Sequence, residues 1–275
     1  MRTTSLHESI DAMNAVVTPF APSVRDRVND AEWTVRTDLA ACYRLVARYG
    51  MSDLIHNHIT AKVPGEAKHF LINPFGLLYT EITASCFYTL DLDGEIVSRP
   101  EGAFGEFPVN RAGFMIHSAV HGARSDLHCV MHTHTRAGMA VSAMKEGLLP
   151  LTQTAMRFYG AIGFHDYEQP TVDMSERERI ARDLGPHSAL ILRNHGLVGC
   201  GPTVQDAWNL MYWLETACQV QVDVLASGAE LSLPSPELAR EMSRRYGPGG
   251  KINFSPMEWP ALLRQLDRED PSYKT

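Results

Sequence analysis

The sequence has little of what would tie a protein to a membrane, a nucleic acid or an oxidising compartment. No uninterrupted apolar stretch approaches the roughly 20 residues needed to span a bilayer. No run of Lys and Arg occurs, and 25 basic against 32 acidic residues leave a net charge of −7. Nucleic acid and anionic membrane surfaces are therefore poor candidate partners. The five cysteines, Cys42, Cys86, Cys129, Cys200 and Cys218, are odd in number, scattered and never form a C-x-x-C pair. Neither a disulfide framework nor a zinc ribbon is suggested, and a reducing compartment fits. The start of the chain has no basic segment followed by an apolar run, so a cytoplasmic protein is expected.

What is present is an ordinary globular composition, 44% hydrophobic and 21% charged, over 275 residues without internal repeats. Residues 1–30 lack sustained periodicity and are expected to form an arm, residues 31–230 a single α/β domain, and residues 231–275 a mostly irregular tail with a short helix near Pro260 to Leu266. Leu39, Tyr43, Val46 and Tyr49 recur at helical steps before Gly50, which predicts a helix from Trp33 to Tyr49. Ile55 to Val63 alternates as a strand, with His56, His58, Thr60 and Lys62 on one face. That face reads as solvated or pocket-facing rather than as a metal site, because no third ligand is obvious. Asp93-Gly94 predicts a hairpin. Further helices are expected over 109–124, over 136–145, after the capping box Ser175-Glu176-Arg177-Glu178, and from Thr203 to about Ala226. His117 and His121, four apart on one of these helices, read as hydrogen-bonded structural residues.

The segment Leu127 to His134 reads as a buried strand, and on it His132 and His134 point to the same face. A third imidazole, His195, follows the strand Ala189 to Arg193, with Gly196 allowing a tight turn back toward the pair. Three neutral imidazoles with open positions are the donor set of a catalytic metal, whereas a structural zinc is normally closed by a fourth ligand. Read alone, the spacing fits a metal site and a set of ordinary hydrogen-bonded histidines equally well.

Taken in order, Asn57-His58-Ile59-Thr60, the stretch Asn73 to Thr83 containing Pro74-Phe75-Gly76, His132-Thr133-His134 and Arg193-Asn194-His195-Gly196 resemble the class II aldolase/adducin family, over residues from about 35 to 228. Ser142 to Pro150, Phe164-His165-Asp166-Tyr167 and Phe254 to Lys274 are similar to its adducin head branch. The resemblance implies a three-layer α/β/α sandwich with a central, mainly antiparallel sheet, assembled as a homotetramer with metal sites near subunit interfaces. It also implies that His132, His134 and His195 hold a divalent metal, zinc first, with manganese, iron or cobalt as alternatives.

Two departures matter. Aldolase members carry a glutamate ahead of the H-x-H, and the aligned residue here is Gly113, which can neither move a proton nor balance metal charge. Sugar-phosphate members use small residues in the two loops that here hold His56-Asn57 and Phe75-Gly76. The bulkier pair suits a phosphate less and an aromatic or planar carboxylate better. A tyrosine acid of some aldolases is also missing, with Thr154 near its place. Substitute acids or bases are His58, favoured because imidazole titrates near neutrality, and Gln153, Tyr159 and His117. Asn57, Phe75, Gly76 and Thr154 are the expected substrate contacts. The expected function is a metal-dependent lyase, by retro-aldol cleavage or decarboxylation, on a small non-phosphorylated hydroxy or oxo acid. A non-haem Fe(II) oxygenase and a non-catalytic oligomeric scaffold of adducin type are the alternatives.

Overall fold

A computed structural model describes residues 24–168 and 175–275. The expected arm lies mostly outside the described residues. Helix α1 (Asp30–Arg48) opens at Asn29, whose side chain accepts from the Glu32 amide, and buries Leu39, Tyr43 and Val46 as their spacing predicts. Strands β1 (His58–Lys62), β2 (His69–Ile72), β3 (Tyr88–Asp91) and β4 (Ile96–Ser98) form an antiparallel meander. The Asp93-Gly94 hairpin is present, with the Asp91 carboxylate accepting from the Asp93 and Glu95 amides at 2.9 Å. Helix α2 (Arg111–Ala123) follows, then β5 (Cys129–Thr133), α3 (Arg136–Ser142), α4 (Gln153–Met156) and β6 (Ile162–His165). The chain continues through α5 (Ser175–Leu184), β7 (Ala189–Leu192), β8 (Gly196–Gly201), α6 (Val204–Ala226), α7 (Pro236–Tyr246) and α8 (Ser255–Glu269).

Among the described residues eight strands make one sheet in the order β4-β3-β2-β1-β5-β8-β7-β6, antiparallel except for β6 beside β7. Helices α2 and α5 cover one face over Val130, Leu190 and Val198; α1, α3 and α6 cover the other over Ile59, Met131 and Leu197, and α8 packs on α1 and α6. This is the expected three-layer sandwich with a mainly antiparallel sheet. Burial on both faces explains why Ala189 to Leu192 and Gly196 to Gly201 read as continuous apolar runs rather than as alternation.

The C-terminal region departs from the irregular tail the composition predicts. Ser235 caps α7 by accepting from the Leu238 amide, with Pro236 in the first turn where its missing N–H costs nothing. Helix α8 runs 15 residues, and the turn after it buries Tyr273, whose hydroxyl donates to Asp267 at 2.8 Å. Arg44 and Arg48 on α1 pair with Asp270 and Glu269. These long-range contacts carry a segment whose local composition reads as loop.

The polar face of β1 is pocket-facing at His58, which lines a cavity together with the preceding His56, and is buried under a helix at Thr60. Thr60 Oγ1 lies 2.7 Å from His117 Nδ1 and 2.8 Å from His121 Nε2 beneath α2, so both α2 histidines are buried and hydrogen-bonded to the sheet.

Candidate metal centre

Strand β5 delivers His132, and pairing with β1 sets it opposite His58 on the same face. His134 lies just beyond the strand end, and His195 sits in the β7–β8 turn. The tight turn falls two residues earlier than Gly196 suggests: Asn194 takes the left-handed conformation, with φ of 56°. Gly196 serves another need, because a Cβ there would overlap the Thr133 carbonyl across the β5–β8 pair.

The three Nε2 atoms converge, His132 to His134 at 2.8 Å and His134 to His195 at 2.9 Å. Their outward partners fix the tautomers. His132 Nδ1 donates to the Leu197 carbonyl at 3.0 Å, and His134 Nδ1 donates to the Asp53 carboxylate at 3.0 Å. Both Nε2 atoms therefore present lone pairs, and two lone pairs face each other at 2.8 Å with no proton of their own between them. Burial drives the His132 pKa far down and that of His195 to about 4, each reinforced by neighbouring imidazoles, so protonation is a poor remedy. A divalent cation between the rings satisfies all three, and the donor set fits zinc or another imidazole-loving metal. Among the described residues no carboxylate joins the set. Asp53 instead holds His134 from outside, the arrangement that orients metal-binding histidines.

The role of Gly113 is spatial. A Cβ on it would overlap Cδ2 and Nε2 of His58 and lie 3.0 Å from Cγ, so the His58 ring fills the room in which a side chain at 113 would begin. His58 is 2% exposed, accepts from Asn110 Nδ2 at 3.0 Å, and bonds through its other side to Asn73. Asn73 in turn meets the Tyr43 hydroxyl of α1 at 2.9 Å, which ties the ring to the core. Burial lowers the His58 pKa to about 4 against the Asn73 bond, helped by His134 and His56.

These groups line a cavity of about 210 Å³. Its walls add Met115, Ile116, Ile180 and Leu192, with Asp166, Glu168, Glu176 and Arg193 at the polar end. The Arg193 guanidinium stacks 4.2 Å from the Phe164 ring centroid and donates to the Met144 carbonyl at 2.7 Å.

Of the expected substrate contacts, Asn57 lies beneath the site: its Oδ1 accepts from the Asp53 amide at 2.9 Å and so pins the turn that carries Asp53. Phe75 stands behind the histidines, 6.2 Å from the His56 ring and 6.5 Å from the His58 ring, and Gly76 makes the turn beyond it with φ of 119°. Neither lines the cavity. Helix α4, which carries Gln153 and Thr154, packs with α6 and α7, and neither these two residues nor Tyr159 beyond it line their own chain's cavity.

Two contributors are invisible in the sequence. Asp53 carries no motif; only the fold brings it to His134. His165 lies in the Phe164 to Tyr167 stretch, but its isolated spacing gives no hint of chemistry. It is 5% exposed, its Nδ1 lies 2.8 Å from the Asp183 carboxylate, and its Nε2 is buried on the cavity wall without a hydrogen-bond partner.

Comparison with known proteins bears on the family and the fold. The family described as Class II Aldolase and Adducin N-terminal domain matches residues 37–222. A Caulobacter vibrioides protein, named provisionally as an aldolase class 2 protein, is 46% identical over 91% of this chain and 96% of its own. Rattus norvegicus alpha-adducin is also 46% identical, over 86% of this chain but only 33% of its own length. Among solved structures, an aldolase II superfamily protein from Pseudomonas syringae superposes with a TM-score of 0.86 at 46% identity, covering 92% of this chain and 100% of that one. An L-fuculose 1-phosphate aldolase from Glaciozyma antarctica gives 0.77 at 25% identity, covering 94% and 97%. The chain belongs to the class II aldolase and adducin N-terminal domain family.

Proposed function

We propose that the protein is a divalent-metal-dependent carbon–carbon lyase acting on a small non-phosphorylated hydroxy or oxo acid, aromatic or otherwise planar. The observation that carries the reading is the convergence of three neutral imidazole Nε2 atoms beside a histidine that occupies the volume above Gly113. When bound, the metal supplies Lewis-acid polarisation of a substrate oxygen. His132, His134 and His195 hold it, and Asp53 and the Leu197 carbonyl hold them.

The proton work falls to imidazoles. His58 Nε2 accepts from Asn110, and its neutral ring can take a proton from a substrate hydroxyl as the neighbouring carbon–carbon bond breaks. His165, with Nδ1–H donated to Asp183, offers an accepting Nε2 on another part of the wall that can hold a water molecule; that water gives its proton to the carbon left with the electron pair, and the proton taken up at His58 neutralises the hydroxide left behind. Decarboxylation uses the same return step. Among the described residues Arg193 is the one Lys or Arg side chain on the wall, already committed to Phe164 and the Met144 carbonyl, and Asp166, Glu168 and Glu176 share that end. That balance disfavours a phosphate dianion.

The protein is proposed to act in the cytoplasm as a homotetramer on the family pattern. Gln153, Thr154 and Tyr159, turned away from their own cavity, then serve a neighbouring subunit's centre; sedimentation showing a monomer would remove that role. Among the described residues no helix is long and apolar enough to cross a membrane.

The likeness to alpha-adducin favours a second reading, an oligomeric scaffold without catalysis. Elemental analysis of protein purified without added metal, beside His132→Ala, separates the two. The lyase reading expects about one zinc or equivalent metal per chain that the variant lacks, and anaerobic release of carbon dioxide or an aldehyde from a hydroxy or oxo acid. Metal-free protein indifferent to His132→Ala sinks it, and bound iron with substrate-dependent oxygen uptake would favour an oxygenase.

A further inference from the structure

A second cavity, of about 420 Å³, lies between the end of α4, the outer side of α6 and the Tyr246 to Phe254 segment that joins α7 to α8. It shares no lining residue with the cavity at the three histidines. Phe158, Leu210, Tyr246 and Phe254 give it apolar and aromatic walls. Gly247 closes one side by packing its backbone on the Arg157 carbonyl, leaving no room for a Cβ.

Among the described residues the fold brings one cation into this lining. The Arg157 guanidinium lies 4.6 Å above the Trp213 ring centroid, which occupies its face and leaves its N–H edge free. Among the described residues that edge makes no hydrogen bond or ion pair. The nearby carboxylates are committed elsewhere: Glu258 is held by Asn209, Asp206 accepts from Asn253, Ser255 and Thr203, and Asp126 pairs with Arg124. Trp213 Nε1–H is itself buried without an acceptor. A partly buried guanidinium with an unspent fork, beside an unspent indole donor, is a costly arrangement unless an acceptor arrives. Burial lowers the Arg157 pKa against the opposing pull of the Glu258 charge, which acts on the guanidinium without a hydrogen bond to it.

We propose that this cavity is a second, metal-independent binding site, and that its ligand is a small planar monocarboxylate. The carboxylate takes the Arg157 fork, in the bidentate geometry guanidinium favours, and the flat apolar body lies among the aromatic walls. One cation matches one negative charge. A phosphate dianion would carry excess charge into a site rimmed by Asp126 and Asp206.

The probe is 2-naphthoate, with 2-naphthol and inorganic phosphate as controls, on the full chain labelled with 5-fluorotryptophan. Four tryptophans give four fluorine signals, and Trp213→Phe identifies one of them. Titration with 2-naphthoate is expected to move the Trp213 signal and leave those of Trp33 and Trp259 in place. Phosphate should do nothing, and 2-naphthol should bind at least ten-fold more weakly. Arg157→Gln should weaken 2-naphthoate about 10- to 100-fold, as expected for losing hydrogen bonds to a charged group. Arg157→Lys, which keeps the charge and loses the fork, should fall between and guards against a folding defect. Binding should survive in His132→Ala, whose metal content separately reads the first site. A Trp213 signal unmoved at millimolar 2-naphthoate, equal binding by Arg157→Gln, loss of binding in His132→Ala, or a second copy's carboxylate seated on Arg157 in a crystal would each overturn the proposal.

Discussion

Placing an alanine at Gly113 tests whether His58 has taken over the space of a missing side chain. The added Cβ would overlap two atoms of the His58 ring and stand 3.0 Å from a third. The ring cannot swing aside cheaply, because it is buried and held between Asn110 and Asn73. Overpacking of this kind costs about 1–3 kcal/mol. Replacing a helical glycine returns up to about 1 kcal/mol of helix propensity, a little less in this first turn of α2. Gly113→Ala alone should therefore destabilise by about 0–2 kcal/mol. In a His58→Ala background the obstacle is gone, and the same substitution should be neutral or stabilising. The coupling between the two sites is then about 1–3 kcal/mol. In a chain of this size each kcal/mol moves the thermal midpoint by about 2–4 °C. The assay is thermal unfolding of the four proteins, metal-stripped and at one protomer concentration, since assembly would otherwise shift the midpoint. Equal shifts in both backgrounds, within about 0.5 kcal/mol, would refute the space-sharing argument. As a corollary, His58→Ala with Gly113→Glu puts a carboxylate beside the histidines and should bind zinc more tightly than His58→Ala alone.

Three further outcomes are expected. Asp53→Asn should weaken zinc binding about 10- to 100-fold in a chelator competition by loosening His134, and an unchanged dissociation constant would remove Asp53 from the site. His121 is held neutral by burial, with the charges of Lys62 and His128 adding to the effect, so that its pKa falls from 6.5 to about 3. The unfolded chain therefore takes up this proton first: its contribution is whole above pH 6.5 and erodes as pH falls, by about 2 kcal/mol at pH 5. His121→Phe, which can pack on Phe70, should flatten the stability profile of metal-free protein below pH 6.5, and parallel profiles would contradict the linkage. Tyr273→Ala should cost about 3–5 kcal/mol in equilibrium unfolding, as for other large buried rings, and a loss under 1 kcal/mol would show that the C-terminal turn is not part of the core.

The parts of this protein that the sequence makes legible are those written in local periods. The two-residue step of a strand puts His132 and His134 on one side, the helical step predicts α1 and α6, and Asp-Gly predicts the β3–β4 hairpin. The parts that stay hidden depend on partners far along the chain. Asp53 reaches His134 across 81 residues, Tyr273 packs back toward α1, and β6 gains its identity only from lying parallel to β7. The tail shows the same limit from the other side: Pro, Gly and charge predict loop locally, yet Ser235-Pro236 starts a helix that docking then keeps.

Gly113 joins these two kinds of information. In the sequence it is a deletion, a position where resemblance implies a carboxylate and none exists. In the structure the position is not vacant, because the ring of His58, from a strand 55 residues earlier, fills the space and accepts a proton-bearing partner there. A carboxylate at 113 would add negative charge next to the metal, whereas a neutral imidazole adds none, so a metal held here keeps more of its own charge for the substrate. That shift favours an anionic substrate oxygen over a neutral one. On the proposed reading it also leaves the proton to a ring that burial, with a pKa lowered to about 4, keeps neutral and able to accept. The exchange of glutamate for histidine is thus a change in electrostatics as well as in shape, and comparing zinc-bound azide or carboxylate affinity between the chain and the His58→Ala, Gly113→Glu variant would measure it: weaker anion binding in the variant is required, and equal affinity would leave the substitution without chemical consequence.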